Sequence, residues 1–223
     1  MTSFEELVGN RHSVRSFLST PVPPDLILEI FELARMAPSN CNVQPWQTYV
    51  LTGPSRDALS RDLRAYVLSG GAVHADYPLP DYTGEHRQRQ FDCAAALYES
   101  VNIRREDKEA RAVQMMRNFD FFGAPHVALV TMPKSFSVPC AVDVGIYLQT
   151  LMLAIESQGV SCCAQGALTL YPDIVRPHLG VSEDVAIIAG LSFGYEDVGH
   201  PVNATRTTRA EVAEAVVFLC DAG

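Results

Sequence analysis

The residue types able to do chemistry fall in a few short segments. Arg11-His12-Ser13-Val14-Arg15 follows a helix signal and precedes a proline cluster. In an extended backbone, residues 11, 13 and 15 point to one side, setting two guanidinium forks around a hydroxyl. A guanidinium pairs with phosphate bidentately and keeps its charge at any working pH. The segment is therefore either a cradle for a phosphate dianion or a polar connector carrying two surface arginines. Arg206 and Arg209 either close on the same phosphate or belong to a solvated tail.

Pro38-Ser39-Asn40-Cys41-Asn42-Val43-Gln44-Pro45-Trp46 places neutral polar side chains between two prolines, with the only tryptophan as anchor. Asn and Gln amides donate and accept at once, matching the edge of a heteroaromatic ring. An ordinary polar turn has the same composition. Cys163-Ala164-Gln165-Gly166 ends a short apolar run, where small residues let a flat ligand approach the backbone.

Gly190-Leu191-Ser192-Phe193-Gly194 matches G-x-S-x-G, the nucleophile elbow of α/β-hydrolases. The elbow needs a helix straight after the serine, followed by the acid and the histidine. Here Tyr195 to Pro201 is turn-rich, and His200 is the only downstream histidine. A serine hydrolase using Ser192 is thus a remote alternative to a buried strand with two packing glycines. No G-x-G-x-x-G or Walker A sequence is present, and no Cys/His set has metal-ligand spacing.

The elements that must position these residues fit a chain of 223 residues. That length makes one large domain or two small ones and buries roughly 70% of the unfolded surface. Hydrophobic residues are 48% and charged residues 19%, a globular composition. Acids outnumber bases 26 to 17, for a formal charge of −9, which excludes a phosphate-backbone partner built on basic surface. It also argues against an anionic membrane. The bases are arginine except for Lys108 and Lys134. Six scattered cysteines read as free thiols in a reducing compartment, Cys162-Cys163 included, and the N-terminus lacks a signal-peptide profile. These features predict a cytoplasmic protein.

Ser3 and Glu6 form a capping-box pattern opening the first helix, and Pro24-Asp25 opens a second that stops before Pro38. A strand is predicted over 48–52 and a helix over 55–67. Residues 69–86, with Gly70-Gly71, Pro78 and Pro80, read as a long excursion. Helices follow over 87–101, 104–117, 140–158 and 172–179, with strands over 126–132, 159–163 and 185–193. The 140–158 helix is apolar on most sides yet contains Asp143, Gln149 and Glu156, so it reads as a core or interface helix and not a membrane span. One α+β domain is expected, a central mixed or antiparallel sheet flanked by helices.

Taken together, the ordered segments resemble the nitroreductase family of FMN-dependent oxidoreductases. The resemblance rests on Arg11-x-Ser13-x-Arg15, Pro38-Ser39-x-x-Asn42-x-Gln44-Pro45-Trp46, Gln165-Gly166, Gly190 to Gly194, Pro201-Val202-Asn203 and Arg206-x-x-Arg209. Arg117-Asn118-Phe119 through Phe122-Gly123-Ala124-Pro125 adds to it. It covers about residues 7 to 218. It implies an intertwined homodimer with two FMN sites at the interface. Arg11, His12, Ser13, Arg15, Arg206 and Arg209 would hold the phosphate and ribityl chain. Pro38, Ser39, Asn40 and Asn42 would come from the partner subunit, with Gln44 supporting their loop. Cys163, Ala164, Gln165 and Gly166 would lie against the isoalloxazine. His12 stands where arginine or serine is common, and Cys163 where proline is common.

The implied reaction moves a hydride from NAD(P)H through FMN to a small aromatic acceptor, a nitroaromatic or quinone, in ping-pong fashion. The same scaffold serves dehalogenation and ene reduction, and a non-catalytic FMN-binding protein is a further alternative. No acid/base residue is evident and no metal is expected. Residues 69–90 are expected over the substrate site, with Tyr77, Tyr82 and His86 as candidate contacts, and 201–223 as a C-terminal extension of the single domain.

Overall fold

The computed structural model describes residues 3–219; Cys220 and the end of the 201–223 extension lie outside the described residues. The helices are α1 (Phe4–Asn10), α2 (Pro24–Ala34), α3 (Gly53–Leu68), α4 (Gly84–Ser100), α5 (Lys108–Met116), α6 (Val138–Ser157), α7 (Pro172–Leu179) and α8 (Val212–Ala215). The strands are β1 (Gln47–Thr52), β2 (His126–Pro133), β3 (Ser161–Gln165) and β4 (Val185–Gly194). They form one sheet in the order β1-β2-β4-β3, every pair antiparallel.

Two-residue alternation along the strands sends side chains to opposite faces. On β2, Val127 and Leu129 enter one core with α3, α7 and the turn after α5, while Ala128 and Val130 enter a second core with α2 and α6. On β3 the adjacent thiols divide the same way, Cys163 to the first core and Cys162 to the second. Both are free thiols, and burial pushes both pKa values up.

The α1 capping box forms: Glu6 N donates to Ser3 Oγ at 3.2 Å, and Ser3 N to the Glu6 carboxylate at 2.7 Å. Strand β3 begins two residues later than expected. Gly159 takes a left-handed φ of 67° and Val160 N bonds back to Ile155, so the turn closing α6 consumes the start of the apolar run. The shift draws Gln165 into the sheet. Helix α5 begins at Lys108 because Arg104 to Asp107 close as a turn, Arg104 N donating to Asp107 Oδ2 at 3.1 Å.

The two glycines of Gly190 to Gly194 are packing residues. A Cβ at Gly190 would meet Leu168 at 2.3 Å, and one at Gly194 would meet Pro125 at 2.6 Å. Helix α6 is long and apolar enough to cross a membrane, by length and composition only. Its buried side carries Val144, Leu151 and Ile155, while Val138, Val142 and Ile146 are exposed. Only one side of this helix is therefore buried within the chain.

The 69–90 excursion is part loop and part helix, since α4 starts at Gly84. Its loop is pinned at one point. Asp76, 3% exposed, takes Lys134 Nζ at 2.8 Å, the Ile187 N–H at 3.0 Å and the buried guanidinium of Arg176. Burial alone would raise the Asp76 pKa. These donors outweigh it and hold the carboxyl below its usual range.

Candidate functional site

Ser13 bridges to Cys162 in parallel register, and Val14 N donates to the Cys162 carbonyl at 3.1 Å. This short pairing lays residues 11–15 along the outer edge of β3. Val14 is buried between half-exposed Ser13 and Arg15, so the expected alternation holds. The Arg11, Ser13 and Arg15 groups all act on the Cys163 thiol, lowering a pKa that burial raises more. The first arginine segment and the end of β3 are therefore one place.

Asn203, buried and absent from the expected site, joins the C-terminal segment to it. Its Oδ1 accepts from Arg15 N at 2.7 Å and Ser16 N at 3.2 Å, and its Nδ2 donates to Ser16 O at 2.8 Å. Arg206 donates to the Asn203 carbonyl at 2.7 Å, which ties its guanidinium to the Arg15 segment. Arg209 bonds only within its own turn, to Thr207 and Thr208. The signal for Asn203 was its place in Pro201-Val202-Asn203. Arg11, Arg15, Arg206 and Arg209 have no carboxylate partner among the described residues, which leaves them open to an anion. His12 faces elsewhere: Nδ1 meets the Asn10 carbonyl at 2.9 Å and Nε2 meets Glu196 at 3.2 Å. Both ring nitrogens are thus taken by acceptors of the chain itself.

At the end of β3, Ala164 and Gly166 are exposed while Cys163 and Gln165 are buried. The exposed surface there is backbone and the Ala164 methyl group, and a Cβ at Gly166 would meet nothing within 4 Å. The Gln165 amide turns inward, accepting from Ser192 and donating to the Asn118 carbonyl at 2.9 Å. Ser192 is fully buried and bonded to Gln165, with no histidine hydrogen-bonded to it among the described residues. A loop, not a helix, follows Gly194. The hydrolase alternative is thereby corrected: Ser192 holds a strand end and cannot act as a nucleophile.

The 38–46 loop is built on strained backbone. Cys41, Asn42 and Gln44 have φ of 48°, 57° and 49°, unusual for residues with side chains. The loop is held by Gln44 N donating to Ser39 Oγ at 2.9 Å, Gln44 Nε2 to Asn42 O at 3.1 Å, and Asn40 N to the buried Asp143 of α6 at 3.1 Å. Trp46 stacks on Tyr147, centroids 4.7 Å apart. Asn40, Asn42 and Gln44 are exposed, and Pro38 with them. Among the described residues no hydrogen bond links this loop to residues 11–15 or 163–166. Asp143 was missed as a site residue; a lone acid in an apolar helix was its only trace.

Tyr77, Tyr82 and His86 lie exposed on the excursion and the first turn of α4, and are not brought against β3 by any hydrogen bond among the described residues. No His/Cys/Asp/Glu cluster able to hold a metal occurs among the described residues.

The arrangement offers guanidinium groups for a phosphate at one end and an uncluttered strand edge for a ring at the other. A family model, Nitroreductase family, matches residues 8–195. The chain belongs to the nitroreductase family. It is 38% identical to a 4-nitrobenzoate reductase of Nocardioides sp. strain LMS-CY, over 98% of this chain and 91% of that one. A 4-nitrobenzoate reductase of Pseudomonas putida is 36% identical over 92% and 91%. The crystal structure of the FMN-dependent nitroreductase NfnB from Mycobacterium smegmatis in complex with NADPH superposes with a TM-score of 0.93, at 37% identity, covering 97% of each chain. The antiparallel sheet flanked by helices is the fold of these nitroreductases.

Proposed function

We propose that the protein is an FMN-dependent oxidoreductase that reduces nitroaromatic acceptors, including nitrobenzoates, at the expense of NAD(P)H. The observation that carries this reading is the joining of Arg11, Ser13, Arg15 and Arg206 to the edge of β3, through Val14–Cys162 and Asn203. When bound, FMN supplies the hydride chemistry. Arg11, Arg15 and Arg206, with Arg209, hold its phosphate, and the Ser13 hydroxyl lies between the forks. The inward bonds of Gln165 keep the β3 end fixed, so Ala164 and Gly166 present a constant edge to the ring. Reductant and acceptor use one ring face in turn, which gives ping-pong kinetics.

The site is completed by a second copy of the chain in a homodimer. Support comes from the exposed 38–44 loop, which no bond joins to its own chain's arginines, and from the apolar faces left open. These are Val138, Val142 and Ile146 on α6 with Leu28 and Leu33 on α2. Residues 69–90 are assigned to the acceptor side of the site. The free thiols among the described residues suit a reducing, cytoplasmic setting.

Purified protein incubated with FMN is expected to become yellow, to bleach with NAD(P)H under anaerobic conditions, and to regain colour with 4-nitrobenzoate. A protein that retains no flavin overturns the proposal. One that is yellow but not bleached is a non-catalytic binder.

A further inference from the structure

Residues 38–44 carry three non-glycine residues in the left-handed region, Cys41, Asn42 and Gln44. Such backbone persists only where its surroundings over-determine it, and it gathers at functional positions. Most of the loop's hydrogen bonds are internal. Asn42 N donates to Ser39 O and Val43 N to Asn40 O, both at 3.0 Å, and Gln44 bonds to Ser39 and Asn42. These bonds set the loop's shape and leave its place in the fold open. Among the described residues, one hydrogen bond ties residues 38–44 to the rest of the chain, from Asn40 N to Asp143 Oδ1 at 3.1 Å.

Helix α6 grips the segment at two points. Asp143 and Tyr147 are four residues apart and so share a face. Asp143, 5% exposed, takes the N–H at the start of the loop. Tyr147, also buried, stacks on Trp46 just after it, and its hydroxyl meets Thr48 Oγ1 at 3.0 Å. The strained residues lie between the two grips. A carboxylate buried in so apolar a helix is costly unless hydrogen-bonded, and this one spends its bond on the backbone of an exposed loop.

The neighbouring positions on α6 are open. Val142 and Ile146, each one residue before a grip, are exposed apolar side chains. One stretch of helix therefore holds the loop on one side and offers an uncovered apolar surface on the other. Whatever covers that surface meets the loop in a fixed relation to it.

We propose that Asp143, with Tyr147, is a positioning residue that acts in trans: it fixes the 38–44 loop of one protomer for the flavin site of the other. This inference rests on the flavin and homodimer reading above. Asp143 acts through Asn40, and its carboxylate serves only as an anchor. The test measures FMN affinity in D143A, D143L and D143N. The first two remove the acceptor, D143L keeping the helix filled and apolar, while D143N keeps an acceptor oxygen. The FMN Kd is expected to rise about tenfold in D143A and D143L, as for loss of a charge-assisted bond, and to be largely recovered in D143N.

A mixed dimer separates positioning from folding. An R11A protomer is paired with a D143A protomer, or with D143L where D143A does not fold, and isolated through two different tags. Acting in trans, both changes fall on the same flavin site, so half the sites bind FMN with wild-type affinity. Acting within one chain, each site carries one change and no wild-type site remains. A mixed dimer without tight sites overturns the inference, as does an FMN Kd within about twofold of wild type in D143A and D143L. An R11A homodimer that binds FMN as tightly as wild type overturns the phosphate reading instead, and the three Asp143 variants still decide this one.

Discussion

Ser192 donates its hydroxyl to the side-chain oxygen of Gln165, both residues being buried. Gln165 passes the link on to the Asn118 carbonyl. Strand β4, the end of β3 and the turn after α5 are thus bonded in series. S192A leaves the Gln165 oxygen buried without its donor, a cost of about 1–3 kcal/mol. Urea denaturation should show a lower midpoint at unchanged slope, and wild-type protein should resist labelling by a fluorophosphonate.

R11A and R15A each remove a fork from the proposed phosphate cradle. A hydrogen bond to a charged group is worth about 1.5–3 kcal/mol, so the FMN Kd should rise about tenfold to a hundredfold. Fluorescence titration of flavin-free protein measures this. N203A should weaken FMN without touching it, because Asn203 fixes the backbone of Arg15 and Ser16.

Much of this was legible in the residues. The alternation of Ser13, Val14 and Arg15, the helix opened by Pro24, and the two packing glycines of β4 follow from local rules of period and shape. Other features needed the assembled fold. Gln165 reads as a ring contact by type, yet the two-residue period places it with Ser192 on the inner face once β3 starts at Ser161. Asp143 acts through Asn40, 103 positions away, and no local rule joins them. His12 sits among anion binders in sequence but is claimed by Glu196 from the exit of β4.

D76A removes the carboxylate shared by Lys134 and Arg176, while the buried guanidinium keeps its bonds to Asp173 at 2.7 Å and to the Val185 carbonyl at 3.0 Å. Losing a hydrogen-bonded charged partner in that setting costs about 1.5–3 kcal/mol. The Asp76 pKa is held below its unfolded value, so its contribution is full above the ordinary carboxylate range. It is lost as pH falls through the lowered value. Thermal denaturation should show wild type and D76A differing widely at neutral pH and converging below about pH 4.

His126 is buried in the neutral form, Nε2 accepting from Val22 N at 2.9 Å. Burial lowers its pKa, so the unfolded chain binds this proton first. Stability should begin to fall as pH drops below about 6.5 and continue to the lowered folded value. In H126Q, which keeps an acceptor, that part of the slope should flatten in a stability-against-pH series.

Cys162 and Cys163 are chemical neighbours placed in different compartments of the protein. Each thiol reaches solvent only when its own side of the sheet opens. A thiol reagent therefore samples two separate fluctuations from one dipeptide, and C162A and C163A would assign each rate to its half. The pair is a built-in gauge of whether the α2–α6 layer and the α3–α7 layer breathe together or independently.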